Sequence, residues 1–64
     1  MIVIKQIKKY SQLTVFVSYF KCVELGFITY SDIEHAKKYE YLYQAIQDFI
    51  IYDLNPETHK YKVL

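Results

Sequence analysis

Sixty-four residues make one small domain. A composition that is 53% hydrophobic, with one glycine and one proline, excludes disorder, collagen-like repeats and low-complexity linker. A formal net charge of +1 excludes a strong whole-chain field toward nucleic acid or an anionic membrane, and one cysteine excludes an intramolecular disulfide framework or a cysteine-based zinc site.

A chain of this length buries only about 60% of the surface its unfolded form exposes. Ordering costs about 1.5 kcal/mol per residue, and at this size burial offsets little more than that. With neither disulfide nor metal as a staple, two routes to stability remain. One is a homodimer. The other is an aromatic core drawn from eight tyrosines and four phenylalanines.

The first ten residues, M-I-V-I-K-Q-I-K-K-Y, do not read as a secretory leader, because the charges follow a short apolar run. No stretch approaches the roughly 20 apolar residues of a membrane span. The longest candidate is broken by Lys21 and Glu24. The expectation is an intracellular, cytoplasmic protein with no membrane association, and the lone Cys22 fits a reducing compartment. Isoleucine, lysine and tyrosine each occur eight times and arginine is absent. The first three have AT-rich codons while most arginine codons are GC-rich, which points to an AT-rich genome and so to a viral, phage or mobile-element source.

In chain order, Ile2 to Ile7 alternate weakly, as a strand does. Leu13 to Leu25 reads two ways. As strand–turn–strand, Thr14 to Phe20 is rich in β-branched and aromatic residues, a turn lies near Lys21–Glu24, and Gly26 to Tyr30 returns. As a helix, Ser11 caps it and Gly26 closes it, which would make the chain a reduced winged helix-turn-helix. The strand reading is preferred, since Thr14, Val15 and Val17 together disfavour a helix.

Ser31-Asp32-Ile33-Glu34 reads as a capping box opening an amphipathic helix over about 31–49. At about 100° per residue, Ala36, Tyr39, Leu42, Tyr43, Ile46, Phe49 and Ile50 fall in one arc with His35. Leu42, Ile46 and Phe49 are expected to pack on the sheet. The tail, about 50–63, reads as a β-hairpin turning at Asn55-Pro56-Glu57-Thr58. The predicted fold is therefore a small single α+β domain, 1–64, with N-terminal antiparallel strands, one helix and a C-terminal hairpin.

Chemistry is sparse. His35 is expected at the edge of the core and His59 in solvent after the turn, with no metal-ligand spacing at either. Cys22 lacks an activating base in sequence and reads as a small buried side chain. Walker, G-x-G-x-x-G and G-x-S-x-G motifs are all absent, so neither an enzyme nor a cofactor is expected. The excess of tyrosine directs attention to binding. Tyr41, projecting from the polar side of the helix beside Lys37 and Lys38, is the candidate anchor for an unidentified protein partner. Lys5, Lys8 and Lys9, with Tyr10 and Tyr19, form the alternative: a nucleic-acid patch. The functions these features allow are a protein–protein modulator, a nucleic-acid-binding regulator, and a structural or assembly subunit.

Overall fold

The alternation of the first residues continues further than expected. In the computed structural model, which describes residues 1–64, strand β1 spans Ile2–Lys9. It is followed by β2 (Val15–Glu24), β3 (Phe27–Ser31), α1 (Leu42–Ile51) and β4 (His59–Val63). The strands form one antiparallel sheet in the order β3-β2-β1-β4, with α1 on one side. The α+β class is as predicted. No helix forms over residues 12–25, which removes the winged-helix alternative: the β-branched run goes into β2.

The β2–β3 turn is the two-residue Leu25-Gly26, both at positive φ (52° and 81°). That is the sense of twist a tight hairpin requires, and Gly26 adopts it freely. Leu25 does not, and its side chain is 98% exposed, so nothing repays the strain. Leu25→Asn should therefore raise the unfolding free energy by roughly 1 kcal/mol. A urea titration checks this, and a lowered midpoint would contradict it.

The helix starts eleven residues later than its capping signal. Ser31 ends β3, and its hydroxyl donates to the Asp32 carbonyl. Asp32 accepts the backbone N–H of His35 at 3.0 Å, but only a single turn follows. The cause lies in β2. Its register against β3 shifts between Phe20 and Cys22, leaving Lys21 as an extra residue, and pairing with β1 stops at Lys5–Tyr19. Residues 37–39 then run extended into the gap. The Lys37 N–H donates to the Phe20 carbonyl at 3.0 Å, and Tyr39 exchanges two 2.8 Å backbone hydrogen bonds with Ile2. These bonds, and burial of the Tyr39 ring, override the helical periodicity.

The N-cap of α1 is Tyr41, in extended backbone. The Gln44 side chain accepts the backbone N–H groups of Glu40 and Tyr41, both at 3.1 Å, which is half of a capping box. The helix ends with Asp53 in the left-handed region (φ 49°). Asp53 N–H donates to Ile50 and Leu54 N–H to Phe49, a Schellman closure.

That closure also accounts for the missing hairpin. Residues 50 and 51 belong to α1, so the tail has one strand, and β4 pairs with β1. The Asn55 turn does form: its carboxamide oxygen accepts Glu57 N–H, and its carbonyl accepts Thr58 and His59 N–H. It connects a helix to a strand.

The core is a cluster of Ile4, Phe20, Tyr39, Ala45 and Leu54, with Ile2, Ile28, Tyr30, Phe49 and Tyr52 against it. Phe20 stacks on Tyr52 at 5.6 Å and meets Tyr30 edge-on. Ala45 and Phe49 turn toward the sheet, while Leu42 and Ile46, expected inside, are exposed. His59 is buried. Its Nδ1–H donates to the Asn55 carbonyl at 3.0 Å, and its Nε2 is hydrogen-bonded to the Tyr30 hydroxyl at 2.8 Å. Burial raises the Tyr30 pKa above its ordinary value.

Candidate functional site

Strand alternation decides which side chains lie on the face away from α1. Ile4 and Phe20 are in the core, so Val3, Lys5, Ile7 and Lys9 of β1 point the other way. Register carries that face across the sheet. Lys5 lies opposite both Tyr19 and Lys60, Ile7 opposite Val17, Lys9 opposite Val15, and Val3 opposite Lys62. After the bulge, Cys22, Thr29 and Phe27 share it. Val3 is fully buried, so the face is open from Lys5 outward.

The open face is an apolar strip edged with lysine. Val15, Val17 and Phe27 are exposed, and Ile7 and Tyr19 half-exposed. Lys5, Lys9, Lys60 and Lys62 surround them. The chain has two ion pairs, Asp32–His35 and Lys37–Asp48, and none of these four lysines takes part. Lys60 Nζ donates to the Pro56 carbonyl at 2.8 Å. Glu24, the face's one strand carboxylate, sits at the far end of β2, where it accepts from the Cys22 thiol at 3.3 Å. Lys5 and Lys60 are directly opposed like charges, an arrangement that weakens a sheet unless an anion lies between them. At the β1–β2 turn the face runs into a shallow cavity of about 500 Å³ lined by Lys9, Tyr10, Ser11, Gln12 and Val15.

The sequence-predicted residues land as follows. Of Lys5, Lys8 and Lys9, the first and last share the open face with Tyr19. Lys8 alternates to the helix side, opposite Phe16, and Tyr10 packs edge-on against Phe16 at 5.1 Å. Lys60 and Lys62 join this face only in the folded sheet. Their signal is the alternation K-Y-K-V, but joining them to Lys5 requires knowing that β4 pairs with β1.

The other set does not hold together as a binding cluster. Lys37 is paired with Asp48 at 2.7 Å. Lys38 Nζ donates to the carbonyls of Ile33, Glu34 and Ala36, holding the loop after β3. Tyr41 is exposed as expected and stacks on Tyr43 at 5.8 Å. His35 lies on the surface against Asp32 at 2.7 Å, not at the core edge. Hydrogen bonding from His35 holds the Asp32 carboxyl below the usual carboxylate range.

Asp48 also accepts the Tyr39 hydroxyl at 2.6 Å. Burial would raise its carboxyl, but the hydrogen bonds from Lys37 and Tyr39 and the lysine charge outweigh that and hold it low. Burial, then the Asp48 hydrogen bond and charge, push the Tyr39 phenol well up. A carboxyl depressed by folding gives stability that is present above the unfolded value of about 3.9 and lost as pH falls through the folded value. Asp48→Asn should therefore cost on the order of 1 kcal/mol at neutral pH and almost nothing in strong acid. Urea titrations across that range check it, and a penalty independent of pH would contradict the assignment.

No helix is long and apolar enough to cross a membrane. No protein-family model matches the chain, and neither a curated protein nor a solved structure is similar to it.

Proposed function

We propose that the chain is a non-catalytic binding protein that takes single-stranded nucleic acid on the open face of its sheet. The observation that carries this reading is the direct opposition of Lys5 and Lys60, flanked by Lys9 and Lys62, with no carboxylate beside them on β1 or β4. A phosphate backbone neutralises such a row. Tyr19 and Phe27, on the same face, offer rings for bases to stack on. A broad sheet suits a strand laid flat across it better than a duplex groove, which admits a helix or a two-stranded ribbon. The weak net charge of +1 fits modest, salt-sensitive affinity without sequence selectivity. An intracellular setting and a viral or mobile-element source suit such a role.

Fluorescence anisotropy of a labelled oligothymidylate at low salt tests it. The single strand should bind, and more tightly than a duplex of equal length. Absence of binding at low salt, or preference for the duplex, would contradict the reading. The exposed Tyr41–Tyr43 stack favours a second reading, in which the start of α1 captures a protein partner. Tyr41→Ala should then weaken capture while leaving oligonucleotide affinity unchanged.

A further inference from the structure

Around the axis of α1, Leu42, Ile46 and Ile50 follow Phe49 on one side, while Gln44 and Asp48 lie on the other. Phe49 meets Tyr61 at 5.1 Å and His59 edge-on at 6.1 Å, so the apolar side of the helix is the β4 side. Val63, two residues beyond Tyr61 and opposite Ile2, shares the helix-side face of β4. The exposed apolar side chains on this shoulder are Leu42, Ile46 and Ile50 of the helix and Tyr61 and Val63 of the strand, with Phe49 packed on Tyr61 between the two elements.

The shoulder borders an unpaired sheet edge. β4 is terminal in the strand order. Ile7 N–H bonds the Thr58 carbonyl and Leu64 N–H the Met1 carbonyl, so even-numbered residues of β4 face β1. Alternation turns the N–H and C=O groups of Tyr61 and Val63 outward. An identical strand running antiparallel about a two-fold axis matches those donors and acceptors one for one. The chain also exposes 4841 Å², about a tenth more than the roughly 4,400 Å² expected for a monomer of its mass.

We infer that a second copy of this chain docks on the β4 edge and its helix shoulder, joining two sheets into one of eight strands. The open face then becomes continuous across both copies. Pairing centred on Tyr61 sets Lys60 of one copy opposite Lys62 of the other. The association therefore tightens as salt rises, whereas oligonucleotide binding weakens, so failure of one reading leaves the other standing.

Sedimentation equilibrium at micromolar concentration should show a dimer. Ile50→Glu and Val63→Glu alter exposed side chains and should weaken dimerisation by about tenfold or more. Hydrogen exchange gives a readout without substitution: the Tyr61 and Val63 amides of the unaltered chain should gain protection as concentration rises. A monomer throughout the micromolar range, or exchange at these two amides that is fast at every concentration, would overturn the inference.

Discussion

Phe20→Ala should leave the domain largely unfolded at room temperature. The ring is 1% exposed, stacks on Tyr52 and meets Tyr30 edge-on, and so ties β2 to β3 and to the end of α1. Phenylalanine-to-alanine changes in packed cores cost about 3–5 kcal/mol. A single core in so small a domain rarely supplies more than about 3–5 kcal/mol in total. With only 9 of 64 residues buried, the neighbours have little material with which to collapse into the cavity. Leu42→Ala, at an exposed position, should by contrast leave a cooperative transition. Circular dichroism during thermal melting checks both. A near-native melt for Phe20→Ala would mean that the cluster around Ile4 does not hold the fold.

The second large effect is electrostatic. A single strand contacting about four lysines should lose affinity with a slope near −3 in log K against log salt, roughly a 50-fold fall between 50 and 200 mM. Replacing Lys5 and Lys60 with glutamine halves the contacts, so the fall should shrink to about sevenfold. Lys8→Gln should leave the slope unchanged, because Lys8 sits on the helix side of β1 opposite Phe16. Lys37→Gln should also leave it unchanged, because Lys37 is committed to Asp48. Anisotropy titrations across that salt range separate these cases. A Lys8 effect equal to that of Lys5 would show that the strand does not read one face of the sheet.

Local chemistry was legible where a short segment decides its own structure. The β-branched run of β2, the return strand after Gly26 and the Asn55 turn all follow from a few adjacent residues. The 31–41 segment was not legible. Its capping residues and periodicity are helical, yet a bulge at Lys21 opens a slot that Tyr39 fills through backbone bonds to Ile2. That contact joins residues far apart in sequence, and no local pattern announces it. The tail failed for a related reason. Alternation at residues 59–63 is strand-like, but it does not say whether the partner is residues 50–54 or β1. The same ambiguity concealed half of the candidate site. Lys5, Lys8 and Lys9 could be named as one cluster, of which Lys8 falls on the other face, while Lys60 and Lys62 join Lys5 and Lys9 only through the pairing of β4 with β1.

Amide chemical-shift mapping with oligothymidylate tests the open-face account most directly, because it reports location as well as binding. Shifts should concentrate at Lys5, Ile7, Lys9, Val17, Tyr19, Phe27, Lys60 and Lys62, with the amides of Tyr41 to Ile50 left in place. Shifts concentrated instead on Tyr41, Tyr43 and the outer side of α1, with the lysine-edged face unmoved, would contradict it.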